Sequence, residues 1–165
     1  MVVASLLLLI ALSSVASAQI LSSIAGPYQI HVSSAPSQPL QLSTITAPPS
    51  QVALGGTAAI TINVKNPTSN PVQGYVTINI TASDFTPTSA DLSVSMQANG
   101  IFGGWSGWFS FPGPLSIPNG LMYRCQNPLT FSAGADDSAT IYVVFNKANP
   151  TASGYYAITI GITSS

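Results

Sequence analysis

The side chains able to do acid–base, nucleophilic or metal chemistry are Asp84, Asp91, Asp136, Asp137, His31 and Cys125, in a chain of 165 residues. Catalysis needs several such groups converging on one point, and this supply is thin. Asp136-Asp137 looks like a carboxylate pair, but adjacent residues in a polar turn point apart and usually cap the loop. A calcium site would need the Asp84 loop to meet that pair. His31 has no second His or suitably spaced Cys beside it, so a connector residue is expected rather than a metal ligand. The glycines between Phe102 and Gly107 lack the Lys of a phosphate-cradling loop. The expectation is a protein that is not an enzyme and uses no cofactor or metal.

Cys125 stands alone. No intrachain disulfide can form, and a buried small hydrophobe is the expected role. Lys65, Arg124 and Lys147 are spread along the chain, so no basic cluster exists to hold nucleic acid. Asn79-Ile80-Thr81 is an N-glycosylation acceptor triplet, which points to an attached glycan at Asn79.

One segment carries a different kind of chemistry. Asn99 to Gly120 (NGIFGGWSGWFSFPGPLSIPNG) holds both tryptophans among glycines and prolines. Large flat rings beside adaptable backbone suit a contact surface, because aromatics bury much area at low entropic cost. Trp105, Trp108, Phe109 and Phe111 are therefore the surface-contact candidates. The first expectation is nonetheless a long crossover whose four rings plug the end of a sandwich, with a subunit contact, then sugar or surface adhesion, as the alternatives.

The elements that must position these residues are strands. Charged residues make up 4% of the chain against about a quarter in ordinary soluble proteins. Disorder does not follow, because Ser, Thr, Asn and Gln interleave with Val, Ile, Tyr and Phe. Ile60, Ile62 and Val64 alternate with Thr61, Asn63 and Lys65, and Val76, Ile78, Ile80 and Ala82 alternate with Tyr75, Thr77, Asn79 and Thr81. That is the period of a half-buried strand, and the two runs read as a hairpin joined by a short polar turn. Leu92-Val94-Met96, Leu129-Phe131, Ile141-Val143-Phe145 and Ile158-Ile160-Ile162 repeat the pattern. Short strands with Gly, Pro and Asn turns predict an all-β sandwich over residues 50–165. Residues 27–49, punctuated by Pro36, Pro39, Pro48 and Pro49, predict an extended connector and a first edge strand around Leu40 to Thr46.

Met1 to Ala25 contains no charged residue, and Gly26-Pro27 is a chemically well-marked helix stop. A helix over these residues would run to about 38 Å. The predicted organisation is thus mainly β with one N-terminal helix over residues 1–26. No Lys or Arg precedes Lys65, so the basic start of an export signal is missing, which suggests a leader already removed. The contrary reading is a secretory signal cut after Ala16-Ser17-Ala18, before Gln19.

An uncharged N-terminal helix ending at Gly26-Pro27 and running into a Thr-rich sandwich resembles the archaeal type IV pilins, relatives of archaeal flagellins. Val2 to Ile10 is similar to their processed N-termini, and Lys65 to Ala82 to an immunoglobulin-like antiparallel β-sandwich body. The resemblance implies a membrane-inserted precursor and an extracellular helical filament of identical subunits serving adhesion or surface attachment. Its core would be packed from Val2, Val3, Leu6, Leu7, Leu8, Leu9, Ile10, Leu12, Val15, Ile20, Leu21 and Ile24. A helix hydrophobic all round must be buried by lipid or by copies of itself. Two alternatives remain open. A secreted sandwich cut near Gln19 could polymerise by donating a strand such as Gln29 to Ile45. A secreted carbohydrate-binding module could use Trp105 and Trp108.

Overall fold

In the computed structural model, which describes residues 28–34, 39–46, 51–53, 55–147 and 154–164, period-two alternation is written out strand by strand. Val76, Ile78, Ile80 and Ala82 are buried while Tyr75, Thr77, Asn79 and Thr81 are half-exposed. Such one-sided strands are stable only when two apolar faces meet. Twelve strands do this in chain order: β1 (Tyr28–Ser34), β2 (Gln41–Thr46), β3 (Gln51–Val52), β4 (Thr57–Lys65), β5 (Val72–Ala82), β6 (Leu92–Ala98), β7 (Trp108–Ser110), β8 (Leu115–Ile117), β9 (Gly120–Arg124), β10 (Leu129–Phe131), β11 (Asp136–Phe145) and β12 (Tyr155–Ser164).

They form two sheets over one shared apolar core. The first runs β3-β1-β12-β5-β9-β8, with β10 also paired to β5. The second runs β2-β4-β11-β6-β7. Ile60, Ile62, Ile141 and Met96 fill the middle from the second sheet, and Ile78, Ile80, Ile158 and Tyr156 from the first. Phe145 and Tyr156 meet across the sheets with ring centroids 4.7 Å apart. Tyr123 also bridges them, its hydroxyl donating to the Leu92 carbonyl at 3.2 Å. Burial pushes that phenol above its ordinary pKa.

The expected β strands at Leu92, Leu129, Ile141 and Ile158 are all present, and β2 lies at the edge of its sheet as its prolines predict. Two expectations need correction. β4 and β5 are not a hairpin: they belong to different sheets, and residues 66–71 carry the chain across. Alternation shows that a strand has one wet face but not which sheet it joins. The segment after Pro27 is not merely a connector, because Tyr28–Ser34 is a paired strand. Pro27 and Pro36 bracket eight proline-free residues that can donate to a ladder. Within residues 50–165 the strands pair with one another antiparallel throughout, as expected, and β1 adds to β12 in parallel, in the register Gln29 with Tyr155 to Ser34 with Ile160.

No helix is present among the described residues, hence none long and apolar enough to cross a membrane. The predicted helix over residues 1–26 lies outside them.

The β4–β5 crossing is fastened by Asn66, the one polar side chain buried among the described residues. Its Nδ2 donates to the carbonyls of Asn70 (2.8 Å), Phe131 (3.0 Å) and Ser132 (3.0 Å). Its Oδ1 accepts from the Thr68 amide at 3.1 Å and the Thr68 hydroxyl at 2.8 Å. The latch thereby joins the start of β5 to the end of β10.

Candidate functional site

β9 and β10 lie end to end along one edge of β5, at Thr77–Thr81 and at Val72–Gly74. The step between them, Cys125 to Pro128, bulges from the ladder but keeps one anchor: the Cys125 amide donates to the Val76 carbonyl at 3.1 Å. Opposite this step, at the edge of the second sheet, β7 pairs with β6 through Gln97 with Trp108, Met96 with Phe109 and Ser95 with Ser110. The gap between β7 and the Cys125–Pro128 step is a cleft of about 280 Å³ lined by Trp105, Trp108, Phe109, Ser110, Gln126, Asn127, Leu129 and Cys125. A second cleft of about 410 Å³ adjoins it across Cys125 and Gln126, with Tyr75, Leu115, Met122 and Arg124 in its walls.

Trp105 is 50% and Trp108 58% exposed. Both rings are propped. Trp105 packs on Phe109 at 5.1 Å between centroids, tilted by 41°. Trp108 lies against Tyr142 at 5.4 Å, tilted by 37°. The two expected contact rings are therefore held out of the core, while Phe109 and Phe111 are half-buried and act as supports, Phe111 edge-on to Tyr123.

This corrects the plug reading. The ring that closes the sandwich here is Phe102, fully buried and edge-on to Phe131 at 5.3 Å. Sequence reasoning passed over it because nothing in its type separates it from Phe109; its glycine neighbours were the signal. Gly103 has φ +58°, and a Cβ there would sit 2.6 Å from the Leu129 Cβ, so only glycine lets the turn press onto β10. Its amide donates to the Asp137 carboxylate at 2.9 Å, and its carbonyl accepts from the Thr130 amide at 2.9 Å. Trp105 then closes the turn through mutual backbone bonds with Phe102.

Asp137 thus holds a loop, and Asp136, the first residue of β11 rather than part of a turn, accepts from the Asn63 side-chain amide at 2.6 Å. Asp84 follows the far end of β5 and lies about 30 Å away along the strands, so the calcium constellation does not assemble. Among the described residues no three His, Cys, Asp or Glu side chains gather in metal-binding range. His31 falls on β1 in register with Ala157.

Cys125 is buried, and burial pushes its thiol above the ordinary value against the pull of backbone hydrogen bonds and Arg124. Arg124 itself is spread over the Tyr75 ring at 3.8 Å. Asn79 sits in mid-strand between Met122 and Thr159, with its Oδ1 enclosed and without a hydrogen-bond partner.

No family model matches this chain. No curated protein matches it either. Among solved structures it is similar to one described as "AvmM Catalyzes Macrocyclization in Alchivemycin A Biosynthesis", with 8% identity, 84% of this chain and 92% of that chain covered, and a TM-score of 0.49. A likeness at that level says nothing of activity.

Proposed function

We propose that this chain is a non-enzymatic structural subunit of an extracellular helical filament, with a helix over residues 1–26 packing in the filament core and an immunoglobulin-like sandwich forming the wall. The observation that carries this reading is the polarity of the body. Tyr28, where the apolar stretch joins, pairs with Val52 beside the start of β12, which lies against Ala82 at the end of β5. The Phe102–Trp105 turn is tied to Thr130 beside Gln73, at the start of β5. From Gly74 to Ala82 is about 26 Å of strand. The chain therefore enters the sandwich at one end, at Tyr28, while the Phe102–Trp105 turn lies at the opposite end and Trp108 part-way along the β7 edge. A subunit anchored at the first end would display the second outward, as surface attachment requires.

The outer faces support the same reading. They carry hydroxyl and amide groups, as in the Thr61–Thr140 hydroxyl pair at 3.2 Å, and hardly any charge. Such a wall varies little with the pH of an external medium. Before assembly the apolar stretch would reside in the membrane.

Intact mass and electron microscopy of material sheared from cells test the reading. Burying one such helix removes of order 1,500 Å² of apolar surface, a gross gain of tens of kcal/mol at about 25 cal/mol per Å². Leu8→Asp places an unpaired carboxylate in that core and should abolish filaments. Normal filaments from Leu8→Asp would remove the helix core.

The second reading, strand donation, has one observation in its favour. β1 lies between β3 and β12, a slot that an equivalent strand from another subunit could occupy in the same register. Filaments whose chains begin near Gln19 would favour it.

A further inference from the structure

We propose that the cleft between β7 and the Cys125–Pro128 step binds a neutral, gluco-configured oligosaccharide, stacked on Trp105 and Trp108 and hydrogen-bonded by Gln126 and Asn127. A pyranose has two kinds of surface: flat faces of axial C–H groups and a rim of hydroxyls. An equatorial, gluco-type ring exposes the largest C–H faces. Recognition therefore needs flat rings for the faces and neutral donor–acceptor groups for the rim.

The cleft supplies both. Trp105 and Trp108 are held exposed by Phe109 and Tyr142, so their faces are set before any ligand arrives. The side chains of Gln126 and Asn127 are exposed, line the cleft and form no hydrogen bond with the described residues. Each amide offers two donors and an acceptor, the set that a pair of vicinal hydroxyls satisfies. No charged side chain lines this cleft, and the neighbouring Arg124 already lies on Tyr75. The adjoining cleft across Cys125 and Gln126 gives a chain of several sugars room to continue.

The site is complete in one subunit, so the proposal does not rest on the filament reading, and neither fails with the other.

Titration of the full-length protein with cellotetraose, read by calorimetry and by tryptophan fluorescence, tests it. Expected are saturable binding with Kd of about 0.1–1 mM and a change in tryptophan emission. Trp105→Ala and Trp108→Ala should each weaken binding at least about tenfold. Trp108→Phe, which keeps a flat ring, should retain most of it, and Asn127→Ala should weaken it severalfold. Thermal melts of the variants verify folding, which truncation of half-exposed rings spares. Absence of binding at about 10 mM cellotetraose, or binding that survives loss of both indoles, overturns the proposal. Indole-dependent self-association without sugar binding overturns it too, and assigns the face to a second copy.

Discussion

Replacing Asn66 by Ala should be among the most damaging single changes available in this sandwich. The side chain is fully buried and uses every polar atom: its two N–H groups serve the carbonyls of Asn70, Phe131 and Ser132, and Oδ1 takes both groups of Thr68. Truncation removes four donor or acceptor positions, each worth about 1 kcal/mol net. Thr68, Asn70 and Ser132 lie near the surface, where water recovers part of that loss. The bond to Phe131 is buried, and water does not replace it. The balance is about 3 kcal/mol, equivalent to a fall in Tm of roughly 6–12 °C for a chain of this size. Urea unfolding of the full-length protein, followed by tryptophan fluorescence, gives the number directly if the slope is unchanged. Asn66→Asp is the sharper test. It keeps the shape but points a carboxylate at three carbonyl oxygens, so near neutral pH it should be worse than Ala and should recover on acidification. A loss below about 1 kcal/mol for Ala, or an Asp variant as stable as wild type at pH 7, would refute the latch.

Two further outcomes follow from the titratable groups. At Asp91 partial burial raises the carboxyl pKa, but hydrogen bonds from the Thr88 amide (2.7 Å) and hydroxyl (2.8 Å), with Lys147 at 3.9 Å, outweigh it and leave the pKa below the ordinary 3.8. A depressed pKa contributes stability above the unfolded value and loses it as pH falls through the folded one. Unfolding free energy should therefore drop below about pH 4, and Asp91→Asn should flatten that limb in a pH series of urea melts. The Lys147 contribution is small because its ammonium is half-exposed, so Lys147→Ala should leave most of the slope. Cys125 should react with Ellman's reagent at pH 8 at least about a hundredfold more slowly in the folded protein than in urea, since the thiol is enclosed and stays protonated. Labelling at equal rates would place it at the surface.

Strand existence was legible because period-two alternation is a direct image of a one-sided strand. β4, β5, β6, β11 and β12 are each announced by three or four apolar residues at that spacing. Partnership was not legible, because Ile62 and Ile78 carry the same alternation yet belong to opposite sheets. What decides it is the Asn66 crossing, and an Asn in a turn reads alike whether it latches two sheets or merely bends a chain. The aromatic site was half-legible. Trp105 and Trp108 drew attention by type, but Gln126 and Asn127 reach them only through the end-to-end placement of β9 and β10. Phe102 is buried by a turn that Gly103 presses onto β10 through Thr130 and through Asp137, 34 residues away. No local pattern encodes such a contact.

The parallel pairing of β1 with β12 has a mechanical consequence. Traction applied through the apolar N-terminal stretch enters at Tyr28, at one end of the sandwich, and resistance from the far end is met where β12 finishes against Gly74. Tension then runs along the strands. All six register positions from Gln29 to Ser34 share it at once in shear, instead of parting one after another like a zip. If the proposed filament tethers the chain this way, it resists tugging far better than its folding free energy alone would suggest, because rupture under load is governed by the unfolding barrier.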